Sequence, residues 1–352
     1  MRVKEERQIL YGACCGNTLV STRNEGVFVQ KEFKTIEEQI QILKSRGLLI
    51  PNLDKAKKYL LSNNYYNIIN GYSKPFLERH NVYLENATFD EVSHLYFFDK
   101  ECKQTLFQAI LDAEHHLKSS FAYHFAEMHQ NNTEAYLDVN SYNHEYSLDI
   151  AYIITKLKKV IDKNKRFNNN SIYHYYHNYG EIPIWVLIDF LDFGTLFNLI
   201  KISPIQLQNK IARDMTEFIQ KNNPNFSEHF PPAVMVSFIK NIHELRNICA
   251  HNKRLIYFKC RSAEKYFAPI HDKYGISRTD QRELKSVYTT FVSLQCFISD
   301  TEFSKLNNTL RQRMRKILKN HITSININNI VELLGFPNNW YELSSLPQHA
   351  ID

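Results

Sequence analysis

Arg246 and His251 stand five positions apart in Arg246-Asn247-Ile248-Cys249-Ala250-His251, inside the stretch MVSFIKNIHELRNICAHNKR, residues 235–254. Such a pair could cut RNA without a metal. A 2′-hydroxyl attacks the adjacent phosphate, and charge builds on the phosphoryl oxygens. A guanidinium is always charged and offers those oxygens a planar set of donors. An imidazole titrates near neutrality and can move the protons. Spacing alone is a weak signal: with 15 Arg and 15 His in 352 residues, about two Arg-His pairs at comparable spacing arise by chance. Two occur, Arg246/His251 and Arg315/His321.

The residues around the first pair read as an amphipathic helix. At about 100° per residue, Met235, Phe238, Ile242, Leu245 and Cys249 form one apolar stripe. His243, Asn247, His251 and Arg254 fall on the other side, with Arg246 at the border. Asn247 and His251, four apart, are expected to touch. The second pair lacks a polar uncharged residue after its Arg; it reads as RNA-backbone binding.

Leu245 to Leu255, LRNICAHNKRL, resembles the signature of the Abi-like abortive-infection proteins (the AbiF/AbiD group), which are similar to HEPN-type ribonucleases, including the nuclease domains of RNA-targeting CRISPR effectors. Four further blocks agree in the same order. They are Phe33–Gln39 with Ser45–Leu48, Asn64–Tyr66 with Gly71–Phe76, Ile182–Trp185 with Phe193–Leu196, and Leu334–Pro337 with Trp340. The likeness covers residues 31 to 345. It implies a HEPN-like helical bundle and a composite site built from two Arg/His motifs. This chain holds one credible copy, so the resemblance implies a homodimer. Arg246 would then stabilise the phosphorane, His251 would transfer a proton and Asn247 would orient one of them, with Glu114 and His243 supporting. In such folds an early long helix often carries an acidic residue followed by Arg; here Glu114 is followed by Lys118. Lys keeps the charge but loses the bidentate fork. Family members also occur beside small structured RNAs, so a non-catalytic RNA-binding protein in a ribonucleoprotein is the alternative.

The elements that must position these groups are helical. Phe89 to Met128 is the longest periodic stretch, with Leu95, Phe98, Cys102, Leu106, Ala109, Ala113, Leu117 and Phe121 stepping by three or four. It is the natural partner of the Arg246 helix. Before it, Thr35 and Glu38 form a capping box, Gly47 stops the first helix, and residues 54 to 63 make a second. Tyr65, Tyr66, Tyr72 and Phe76 are a base-stacking platform or, more simply, packing of a small unit. Later helices are expected over 146–162, from Pro183 with an interruption at Gly194, and over 207–220, 282–299 and 301–320. Val27–Phe33 and Leu255–Phe258 are the only short strand candidates.

Composition limits the function classes. The net charge is +6. Basic residues concentrate in 156–166, 240–261 and 301–320, each with six basic residues against one acidic. Such clustering suits a phosphate backbone, and Lys118, Lys253, Arg254, Arg311, Arg313, Arg315 and Lys316 are the candidate RNA contacts. The six cysteines show no metal-site spacing, and the histidines on 89–128 carry no HExxH pattern, so no metal and no cofactor are expected. No stretch has the apolar length of a membrane span, and the cysteine usage suits a reduced cytoplasm. The expectation is an all-α protein: an extension over 1–30, a small helical unit over 31–85, and a HEPN-like domain over 86–345. Its expected work is metal-independent RNA cleavage in antiphage defence.

Overall fold

A computed structural model describes residues 32–346, together with the backbone of a short hairpin, β1 (Val20–Arg23) and β2 (Gly26–Val29). The remainder of the 1–30 extension lies outside the described residues. Helices dominate, as the apolar periodicity requires. α1 (Ile36–Ser45), α2 (Leu53–Asn63) and α3 (Tyr65–Tyr72) lead into a tiny second hairpin, β3 (Leu77–Arg79) with β4 (Val82–Tyr83). The 40-residue α4 (Phe89–Met128) follows. Then come α5 (Ser147–Asn164), α6 (Ser171–Tyr179), α7 (Ile184–Leu187), α8 (Phe193–Ile202) and α9 (Ile205–Asn222). The Arg246 helix is α10 (Pro232–Ala250). α11 (Ala268–His271), α12 (Val287–Leu294), α13 (Asp300–Arg313) and α14 (Asn328–Leu333) complete the chain.

α4 is the axis. Its N-terminus is fixed by a capping box, Thr88 with Glu91. The other Glu91 oxygen, Oε1, accepts from the backbone of Thr323 and Ser324, pinning the tail to the same end. α3, α7, α9, α10 and α13 all pack along it. Leu95, Phe98, Cys102, Leu106, Ala113, Leu117 and Phe121 are buried on it, as their spacing requires. One apolar core runs from Ile40 in α1 to Tyr341 near the tail, so the small N-terminal unit shares its interior with the rest.

Four local readings change. Leu255–Phe258 is not a strand: the Leu255 and Ile256 amides donate to the Asp99 carboxylate at 3.0 and 2.9 Å instead of to a partner strand, and Tyr257 turns to a φ of 71°. The hairpin at Asn81 is present where no strand is expected; alternation over three residues is too short to read. The break after α7 is made by Asp192, which caps α8 through Thr195 N, and Gly194 lies inside that helix. The helix expected over 282–299 is confined to Val287–Leu294, because Ser286 caps it and a single 3-10 turn precedes it.

A buried ion pair lies in the interior: Asp99 and Lys103, 3.0 Å apart and almost wholly out of water. Asp99 also accepts from Tyr72 Oη at 2.8 Å. Lys103 donates to Asn252 Oδ1 at 2.7 Å and to the Lys253 carbonyl at 3.2 Å. These two residues therefore join α3, α4 and the chain leaving α10. Removing one member leaves the other charge buried and unmatched, which costs about 3–5 kcal/mol. Asp99→Ala is expected to destabilise by that amount in urea unfolding; a loss below about 1 kcal/mol, the worth of an exposed pair, would show that the contact does not organise the fold.

Candidate functional site

α10 presents its apolar stripe as expected: Met235, Phe238, Ile242 and Leu245 are buried. Cys249, next in the stripe, is half-buried, and burial pushes its thiol up to about 12. The helix then stops. Ala250 is its last residue, His251 is the C-cap, and Asn252 has a φ of 49°. A helical projection through Arg254 therefore fails beyond Ala250, because Asp99 and Lys103 take hold of the next residues and turn the chain away.

This changes which polar groups meet. Asn247 does not pair with the His251 ring; its Nδ2 donates to His243 Nε2, one turn earlier, at 3.1 Å. Arg246 donates to Asn247 Oδ1 at 3.5 Å, the long end of the hydrogen-bond range. The two contacts agree on one amide orientation, oxygen toward the guanidinium and nitrogen toward the imidazole. His243 Nε2 must then be the unprotonated nitrogen. The Arg246 guanidinium also lies 5.8 Å from the Phe107 ring of α4, a cation–π distance. His251 is exposed, and its backbone amide closes the helix on Asn247 O.

His243 is held from every side. Its ring stacks with Phe197 at 6.0 Å and meets Phe193 edge-on at 5.9 Å. A Cβ on Gly194 would stand 2.9 Å from its Nε2, so α8 can approach this closely only through a glycine. Burial first, and then the Arg246 charge, push the His243 pKa below the ordinary imidazole value. Glu114 faces this cluster from α4 but ion-pairs with Lys118 at 3.0 Å, not with Arg246. Arg246 Nε and Glu114 Oε2 are both buried without a hydrogen-bond partner.

Lys118 leads to a cavity of about 660 Å3, walled by His115, Tyr123, His129, Trp185 and Ile188 among others. Tyr123 and Trp185 expose much of their rings. The remaining basic candidates separate into two sets. Arg254 is committed internally, donating to the Gly71 and Asn70 carbonyls at the end of α3. Arg313 pairs with Glu101 at 3.0 Å, and Arg311 is buried. Lys253, Arg315 and Lys316 are exposed, the last two on a π-helical turn (Met314–Lys319) that continues α13. Of the second Arg-His pair, the His321 ring stacks on His94 with centroids 4.2 Å apart.

A family model described as "Abi-like protein" matches residues 58–257. The chain belongs to the Abi-like family. That stretch holds α3, α4, α8 and α10, and so every residue of the Arg246 cluster; the opening helix and the Leu334–Trp340 block fall outside it. No curated protein and no solved structure matches the chain. Among the described residues no group of three or more His, Cys, Asp or Glu could hold a metal ion, and no helix is long and apolar enough to cross a membrane. Sequence reasoning gave His243 only a supporting place. Its signal was the i, i+4 spacing to Asn247, which competes with the equal spacing from Asn247 to His251.

Two outcomes test this geometry. Gly194→Ala should cost about 1–3 kcal/mol, as overpacking of a tight contact does, and should displace the His243 NMR resonances; unmoved resonances would refute the close approach. His243, with its folded pKa lowered, binds its proton more readily when unfolded. Its neutral form therefore adds stability that is whole above about pH 6.5 and drains away as pH falls. His94 and His129 shift in the same direction, so the comparison is between proteins: His243→Gln should lose less stability than the wild type between about pH 6.5 and pH 5, and equal slopes would remove His243 from the account.

Proposed function

We propose that this Abi-like protein, linked by its family to abortive infection, is a metal-independent endoribonuclease of the HEPN type. The observation that carries the reading is the Arg246–Asn247–His243 chain of contacts, which holds a partly desolvated guanidinium little more than one helical turn before the C-cap residue His251, itself exposed. An RNA 2′-hydroxyl gives up its proton and its oxygen bonds to the neighbouring phosphorus. The bond to the 5′-oxygen of the next nucleotide breaks, and that oxygen takes a proton, leaving a 2′,3′-cyclic phosphate and a 5′-hydroxyl. Arg246 stabilises the charge on the phosphoryl oxygens, and His251 transfers a proton. Asn247 sets the position of Arg246 while His243, kept neutral, fixes the Asn247 amide.

One His251 serves one side of the reacting phosphate. A second copy of the chain, meeting the first near the ends of both α10 helices, supplies the other proton-transfer group. The 660 Å3 cavity past Lys118, with its exposed Tyr123 and Trp185, suits an RNA strand entering from α4. A second reading keeps the RNA and drops the cut. Lys253, Arg315 and Lys316 remain free to meet phosphates in a stable ribonucleoprotein, and RNA recovered intact with the purified chain would favour that reading.

Purified protein should cut RNA in EDTA. His251→Ala should slow cleavage by about 10²–10⁴, and Arg246→Ala by at least about 10². A wild-type rate in His251→Ala would take His251 out of the mechanism, and cleavage that EDTA abolishes would replace the mechanism with a metal-dependent one.

A further inference from the structure

A guanidinium withdrawn from water is costly unless carboxylates, carbonyls or a bound anion surround it. Arg311 is 1 % exposed, yet its Nε and NH1 are buried with no hydrogen-bond partner. Burial, and then the neighbouring Arg315 charge, lower even this arginine's pKa. Native interiors rarely leave such a group unmatched, and a salt bridge of the kind Arg313 makes with Glu101 is missing here among the described residues. Arg311 lines a cavity of about 540 Å3 between α13, the end of α9 and the tail. Lys221 and Lys273 stand in the same wall against one carboxylate, Asp300, and Tyr274 and Trp340 give it aromatic surface. The formal balance is three positive charges to one negative.

We propose that this cavity binds a nucleotide, a phosphate monoester bearing an aromatic base, taken either free or as the phosphorylated end of an RNA strand. A phosphate monoester carries close to two negative charges at neutral pH, which answers the excess of two; a carboxylate would leave one charge uncompensated. Arg311 supplies charge-assisted donors from the inner wall, the two lysines close over the outer oxygens, and the base lies against Tyr274 and Trp340. None of these residues belongs to the Arg246 cluster, so the site stands whether or not the chain cleaves RNA.

Calorimetry and thermal melting of the full chain at fixed ionic strength test it, with AMP, adenosine, and short RNA oligonucleotides ending in a 5′-phosphate or a 5′-hydroxyl. AMP is expected to bind and raise Tm while adenosine does not. Binding of AMP assigns the site to a free nucleotide, and binding of the 5′-phosphorylated strand alone assigns it to an RNA end. Arg311→Met should weaken the phosphorylated ligand at least tenfold and should raise the unliganded Tm, since it removes an unmatched charge. The surface variant Lys221→Ala with Lys273→Ala should weaken binding without lowering Tm. No binding by any phosphorylated ligand, an affinity equal in all three proteins, or a fall in the unliganded Tm of Arg311→Met would overturn the proposal.

Discussion

A buried carboxylate decides where the chain goes after its most informative helix. Asp99 accepts the Leu255 and Ile256 amides, the Tyr72 hydroxyl and the Lys103 ammonium. Backbone amides out of water must be paired, and a charged acceptor inside a low-dielectric core binds them more tightly than a neutral carbonyl would. The segment therefore cannot continue as helix or join a sheet. Tyr257, an aromatic residue, pays for the turn with a left-handed φ that its side chain disfavours. Because Tyr72 belongs to α3 and Asp99 to α4, the end of α10 is registered against both. The exposed position of His251 follows from contacts it does not itself make.

A second constraint works beside the first. His243 is wedged between Phe193 and Phe197, with Gly194 against its Nε2. An imidazolium there would face both desolvation and the Arg246 charge, so the neutral ring prevails. A neutral ring with a free Nε2 can accept, and the Asn247 amide supplies the donor. That in turn leaves the Asn247 oxygen for Arg246. The order of cause runs from α8 packing through a glycine to the direction of a guanidinium three residues further along α10.

Much of this was legible in the residues. The apolar steps from Leu95 to Phe121 mark out α4, and Thr35 with Glu38 mark the start of α1. The face that α10 buries also follows from period alone. The failures around α10 have a common origin: each needed a tertiary partner far along the chain. The end of α10 depends on Asp99, over 150 residues earlier. The partner of Asn247 depends on where α8 holds His243. The strand pattern at Leu255–Phe258 was overridden by one carboxylate. Four basic side chains within Arg311–Lys316 looked equivalent, but charge counting cannot tell that Glu101 will claim Arg313 or that Arg311 will turn inward.

The division of those four charges bears on what the surface can do. α13 continues into a π-helical turn at Met314, and a wider turn shifts the angular phase of the residues it contains. Arg315 and Lys316 meet solvent there, while Arg311 is buried and Arg313 pairs with Glu101. This stretch thus holds an inward cation, suited to a single anion in a closed space, beside outward cations suited to an extended backbone. Salt would distinguish the two: screening weakens exposed contacts steeply and buried ones much less.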